Sequence, residues 1–179
     1  MRKLLLCVVL LGICLIPLSV SGVSDKQETA VAEENGSEAI NQASAPSYPA
    51  YISKITSMDG VTYVTVDYIQ FLQGAEADRV FSQQEPDAGM DQAPDGYYIL
   101  NEEKKTYTLP VAADAQVLMQ IYNRSGSWDD ADIVENEPIS VAKLRSLFSG
   151  DNQELMGNFP YYITVVDGKV VRIVQQFVP

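Results

Sequence analysis

The chain closes with Phe159–Pro179, "FPYYITVVDGKVVRIVQQFVP". Two β-branched and aromatic runs flank Asp167-Gly168, the dipeptide that most strongly signals a tight hairpin. A two-residue turn there pairs Ile163 with Arg172. A three-residue loop, with Gly168 in a left-handed bulge, pairs Ile163 with Val171. The second register is the better reading. It gathers Tyr161, Ile163, Val165, Val171, Ile173 and Phe177 on one face and Tyr162, Thr164, Arg172 and Gln176 on the other. A slip of one residue would exchange the two faces. Gln175 is the misfit on the apolar side. Val170 and Val174 make the second face apolar as well, and strands covered on both sides suit a curled sheet or small barrel.

The same signals run upstream. Tyr51–Ile55 and Val61–Val66 flank Asp59-Gly60, a second hairpin. From Ala75 the spacing of Ala77, Val80 and Phe81 is helical. Gln83–Asp95, with two Pro and one Gly, reads as a loop. Tyr97–Leu100 and Tyr107–Val111 read as strands across the polar turn "NEEKK", and Ala115–Tyr122 as another strand. Asn123–Pro138 reads as a long acidic loop. Ser140 caps a second helix striped by Val141, Leu144 and Phe148, and Gly150 ends it. The expected order is ββ-α-βββ-α-ββ. The fold class is α+β and β-dominated: a small curled antiparallel sheet or partly open β-barrel with two short helices.

The N-terminus carries a different message. Arg2 and Lys3 precede an apolar run of 13 residues, Leu4–Ile16, which Pro17 breaks before Ser19-Val20-Ser21. This is the pattern of an export signal over 1–22. The run is short for a bilayer span, so retention as a membrane anchor is the minor alternative. Lipid attachment at Cys14 is disfavoured by Ile13, where a small residue is needed. Residues 23–47 hold few large apolar groups and read as a disordered acidic spacer. A single β-rich domain of 132 residues follows, 48–179. Cleavage removes Cys7 and Cys14, so the mature chain has no thiol and no disulfide. It also lowers the basic count from 12 to 10 against 24 acids, taking the net charge from −12 to −14. That balance argues against nucleic acid, and against membrane contact after cleavage.

Histidine is absent from the whole sequence, which removes His-based triads, His general bases and His metal ligands. Ser140–Lys143, "SVAK", matches a Ser-x-x-Lys motif, yet the chain has no Lys-Thr-Gly and Ser140 serves better as a helix cap. Asp67, Glu76 and Asp78 are the candidates for carboxylate catalysis, and Asp67 at a strand end more often accepts from backbone N–H groups. The loop "WDDADIVENE", Trp128–Glu137, could gather calcium through Asp129, Asp130, Asp132 and Glu135, but it lacks the EF-hand pattern. No cofactor is implied. Ten tyrosines offer the positive hint, because Tyr presents a large, rigid, amphipathic surface. Tyr162, Arg172 and Trp128 are the first candidates for a binding surface.

Four pieces taken in order, "DYIQFLQGAEA" (67–77), "YYILNE" (97–102), "YTLPVAADAQV" (107–117) and the closing hairpin, resemble an uncharacterised group of small secreted proteins and lipoproteins of Gram-positive bacteria. That group has an Asp-Tyr strand end leading to Leu-x-Gly-x-x-Ala, then Tyr-Ile-x-Asn, then a Val-x-x-Gly-x-Val hairpin and an aromatic-x-Pro terminus. The resemblance implies export and a shared fold but no reaction. It also implies a Glu where Gln175 stands and an Arg near Tyr107. The functional expectation is an exported envelope or extracellular binding domain without catalytic activity, whose partner is an envelope protein, a peptide or a wall glycan. The alternatives are a carboxylate-based hydrolase acting on a wall glycan, and a calcium-dependent adhesion or inhibitor module.

Overall fold

The computed structural model describes residues 45–179. The expected export signal and nearly all of the expected spacer lie outside them. Eight strands and three α-helices follow in order: β1 Ser47–Met58, β2 Val61–Tyr68, β3 Gln70–Gln73, α1 Gly74–Gln84, β4 Tyr97–Leu100, β5 Thr106–Met119, β6 Glu137–Ile139, α2 Val141–Leu147, α3 Asn152–Gly157, β7 Pro160–Val166 and β8 Lys169–Gln175. Five of the strands close a barrel in the order β1-β2-β5-β8-β7, with β7 returning to β1. Every pairing is antiparallel except β5 with β8. The expected β-rich barrel is therefore present, and it closes fully through the β2–β5 ladder.

Closure depends on two long strands that bend. β1 pairs with β2 and β7 and carries an irregularity between Ile52 and Lys54. β5 pairs through its first half with β2 and through its second half with β8 and β6. Its register with β8 shifts between Val111 and Gln116. Such bulges bend and coil a strand, which a five-stranded closure requires. The bend in β5 falls at Ala112-Ala113-Asp114, where the apolar alternation fails. For that reason the sequence reads as two strands where there is one.

Both Asp-Gly turns are tight two-residue turns with positive φ at each position: 51° and 80° at Asp59 and Gly60, 49° and 74° at Asp167 and Gly168. Glycine tolerates that conformation without strain, and it matches the twist of the flanking strands. Neither expected register of the closing hairpin is the one adopted. Val166 faces Lys169 and Val165 faces Val170. One extra residue then enters β8, so Thr164 faces Arg172 and Ile163 faces Ile173. The bulge thus lies beyond the turn, at Val171. It puts Val170 in the barrel core, and the adjacent Val171 is buried as well. The expected inward set survives in Tyr161, Ile163 and Ile173.

Ala50, Ile52, Val64, Val66, Val111, Val117, Met119, Tyr161, Ile163, Val170 and Ile173 fill the barrel. Leu144, Leu147 and Phe148 from α2 and its C-terminal cap, with Met156 from α3, join the same cluster. Helix α3 is an addition to the expected two. The expected hairpin of Tyr97–Leu100 with Tyr107–Val111 does not form. β4 pairs instead with β3, in a separate two-stranded sheet. Against that sheet α1 packs Ala77 and Phe81, with Leu72 and Tyr98 alongside. Among the described residues no helix is long and apolar enough to cross a membrane.

Candidate functional site

One opening of the barrel is formed by the start of β1, the end of β2, the start of β5 and the end of β7. Paired residues in a ladder share a face, so the inward row can be followed to this rim. Ala50 is buried and faces Tyr68. Val66 is buried and faces Tyr107, and Val64 faces Leu109. Buried Ile163 faces Tyr48. The last inward positions on three strands are therefore tyrosines. Tyr48 and Tyr107 remain 55% and 41% exposed.

The Tyr48 and Tyr68 rings meet edge to face, with centroids 6.4 Å apart. Tyr68 and Tyr107 are tilted at 5.8 Å. Beneath them lies an open recess of about 410 Å³, lined by Pro46, Tyr48, Tyr68, Ile69, Leu109 and Val165. No amide or charged side chain lines it. Lys105 Nζ stands 5.3 Å from the Tyr107 ring centroid. Burial, reinforced by the neighbouring Tyr107 and Tyr48 phenols, raises the Tyr68 pKa. The ring therefore stays a neutral phenol at physiological pH. None of the three hydroxyls has a hydrogen-bond partner among the described residues. The arrangement can hold an apolar or weakly polar group against aromatic faces; it offers no acid–base pair.

The candidates named from sequence are dispersed. Tyr162 lies half-buried on the outer side of β7, edge-on to Phe71 with centroids 6.5 Å apart. Phe71 in turn stacks on Tyr97 at 5.2 Å, so Tyr162 helps join the small sheet to the barrel. Arg172, on the outer side of β8, donates from Nε to Gln116 Oε1 at 2.9 Å. Trp128 is half-buried against the main core, and its indole N–H donates to Asn152 Oδ1 at 3.2 Å. Tyr162 sits at the joint with the small sheet, while Trp128 is tied to the start of α3. No hydrogen bond or ring contact links the three.

The carboxylates proposed for catalysis are also apart. Asp67 accepts from Asn101 Nδ2 at 2.8 Å and from the Lys105 backbone N–H at 3.0 Å, pinning the loop before β5. It lines a polar recess of about 580 Å³ with Asp151 and Glu154. Asp78 Oδ1 accepts from the Ala93 backbone N–H at 3.0 Å, which ties the long loop back to α1. Glu76 is exposed in the first turn of that helix. Ser140 is a helix cap: its hydroxyl accepts from the Lys143 N–H at 3.0 Å.

In the acidic loop, Asp129, Asp132 and Glu135 are exposed. Among the described residues no three carboxylates gather as a cation site. What orders the loop is a cluster that sequence reading missed. Glu137, on β6, accepts from Tyr122 Oη at 2.6 Å and from Arg124 Nε at 2.8 Å, and it forms an ion pair with the Arg124 guanidinium. Arg124 also donates to the Asp132 carbonyl at 2.8 Å and lies 4.7 Å from the Tyr122 ring centroid. The Arg124 guanidinium and then the Tyr122 hydroxyl hold the Glu137 carboxyl below the usual carboxylate range, against the opposing effect of burial.

The tyrosine mouth was also missed as a site. In sequence Tyr48 is only the first residue of the expected domain, and Tyr107 marks only a departure from the resemblance. The signal available was that inward rows ended in Tyr, and using it needed the registers. Against this geometry, no protein-family model, no curated protein and no solved structure matches the chain.

Proposed function

We propose that the chain is an exported, non-catalytic binding domain of the cell envelope, and that its ligand enters the tyrosine-rimmed mouth of the barrel. The observation that carries this reading is the recess under Tyr48 and Tyr68, with the Tyr107 ring against Tyr68. A closed barrel can bury its inward residues, yet here two large aromatic side chains on the inward row stay exposed beside an apolar hollow. Hollows of a few hundred Å³ with apolar and aromatic walls are the usual form of small-ligand sites. Export rests on the 1–22 pattern and on the resemblance to small secreted Gram-positive proteins. The size of the mouth favours a small molecule, or one side chain of a peptide or envelope protein, over a length of wall glycan. A sugar chain would bring many hydroxyls to walls that carry few partners, and unpaired polar groups are costly when buried. Against the carboxylate hydrolase stands the engagement of both Asp67 oxygens in holding a loop.

The test is capture from envelope extract by the wild-type domain and by a Tyr48→Ser/Tyr107→Ser variant. The reading expects a ligand or partner retained by the first and lost by the second, with both equally folded. Equal retention would remove the mouth from the account. Hydrolysis of a glycan by a domain that captures nothing would replace binding with catalysis.

A further inference from the structure

We infer that the chain carries a second site, distinct from the mouth, for a small organic carboxylate with an apolar body. It lies where β5 leaves β2 for β8. Pro110 is the last residue of β5 paired with β2, and Val111 is the first paired with β8. The register with β8 then shifts, and residues 112–115 have no partner in it. Beside this bend lies a recess of about 370 Å³, enclosed by the first residues of β2, the bend itself, α2 and the first residue of β8. Val61, Pro110, Ala112, Val141 and Ala142 give it apolar walls, and Val61 is left 40% exposed. Hollows of this size and character suit small ligands.

The charges in the lining set the sign of the ligand. Arg145 of α2 and Lys169 of β8 line the recess, and no carboxylate does. Both are exposed, and neither side chain has a hydrogen bond, ion pair or ring contact among the described residues. Asp59, Asp114 and Asp167 lie close along the chain, but none of them lines the recess or pairs with either cation. The chain as a whole is acidic, with a net charge of −12. Exposed charges are screened over about 8 Å at physiological ionic strength, so an occupant responds to the two lining cations ahead of distant acids. The Arg145 guanidinium offers a planar fork that matches a carboxylate, and Lys169 adds a second point charge. The walls then decide the body of the ligand. Thr62 carries the only other polar side chain of the lining. A sugar acid or a peptide would bring hydroxyl or amide groups that the side chains there cannot pair. An aliphatic or aromatic body covers the walls instead, and burying it is favourable in proportion to its apolar area.

The experiment titrates the isotopically labelled protein with hexanoate, acetate and hexan-1-ol. Binding is followed through NMR shifts of the Ala112 and Ala142 backbone amides, which belong to this recess and not to the mouth. Hexanoate should shift both amides and bind at least about fivefold more tightly than either the neutral alcohol or acetate. Arg145→Gln and Lys169→Gln, at exposed positions, should weaken hexanoate about fivefold and about threefold, and leave the response to the alcohol unchanged. Arg145→Lys, which keeps the charge and loses the fork, should lose less than Arg145→Gln. Equal binding of hexanoate and hexan-1-ol at these amides would overturn the inference by removing the cations from it. Equal binding of hexanoate and acetate would overturn it by removing the walls. Shifts confined to Tyr48, Tyr68 and Leu109, or no response to hexanoate, would also overturn it. The mouth is decided separately by the capture experiment with Tyr48→Ser/Tyr107→Ser. Tighter binding of a short peptide ending in Leu than of hexanoate would overturn the free small acid as the occupant.

Discussion

The two ends of the barrel are finished in opposite ways. At one end Tyr161, the first inward side chain of β7, is buried beneath Phe148, Met156 and the helices that carry them, and its hydroxyl donates to the Met156 carbonyl at 3.0 Å. At the other end the inward rows run out in Tyr48, Tyr68 and Tyr107, where among the described residues no helix covers the rings and no group partners their hydroxyls. The same residue type, on the same inward face, is a sealed core element in one place and a wet rim in the other. Tyrosine content alone therefore says little about binding. What separates the two roles is whether the phenol oxygen has found a protein partner and whether a helix covers the ring. Stability should depend on the sealed end, ligand recognition on the open one.

The largest effect that could break this contrast is at the sealed end. Leu144 is buried in the core cluster from α2. Leu144→Ala should cost about 2–5 kcal/mol through lost transfer energy and the cavity left behind. Urea denaturation checks this, and a loss below about 1 kcal/mol would mean that the helices are not a seal. Next is Gln175, 1% exposed. Its Oε1 accepts from the backbone N–H groups of Gln120 and Ile121 at 2.8 and 2.9 Å. Gln175→Leu keeps the volume and strands both donors, for an expected loss of about 2–3 kcal/mol. Hydrogen exchange should then quicken at Gln120 and Ile121 before it does elsewhere in the barrel.

A smaller effect belongs to the cluster that fastens the acidic loop beside the sealed end. Glu137 has a folded-state pKa below its ordinary value of 4.5. The stabilisation that follows is complete above that ordinary value and is lost as pH falls through the lower folded value. Glu137→Gln removes the ion pair with Arg124 and weakens the acceptor for Tyr122. A loss of about 1–2 kcal/mol is expected near neutral pH. The gap between variant and wild type should close well below pH 4.5, and denaturation curves at both acidities would show it. A gap that is constant with pH would remove the carboxylate charge as its cause.

Much of this architecture was legible because it is local. Both Asp-Gly turns, the α1 face of Ala77, Val80 and Phe81, and the Ser140 cap depend on neighbours a few residues apart. The parts that escaped depend on partners far along the chain. Tyr97–Leu100 is a strand, but only its pairing with Gln70–Gln73 shows that it belongs to the second sheet. Gln175 looked like a fault in an apolar row until Gln120 and Ile121, more than fifty residues away, supplied the donors that explain it. β6 was hidden in the acidic loop because its three residues include Glu137 and Pro138, and its placement depends on Val117–Met119. Tyr162, Arg172 and Trp128 are polar-tipped and half-exposed, as surface residues should be, but each is occupied by a structural contact. The three tyrosines of the mouth share nothing in sequence except inward parity on their strands.

The smallest expected effect is the one that sharpens the contrast most. Tyr48 ends the inward row of β1, faces solvent over more than half its surface and touches Tyr68 edge to face. Tyr48→Leu keeps an apolar group at the rim and removes one ring contact, so the stability loss should stay below about 1 kcal/mol. Leu144→Ala removes less mass and should cost several times as much. If Tyr48→Leu proves equally destabilising in urea, the rim belongs to the core, and its exposed rings have a structural reason to be there. If stability holds while ligand capture fails, the ring is retained at a position where folding gains almost nothing from it. Its presence then has to be explained by what it meets from outside.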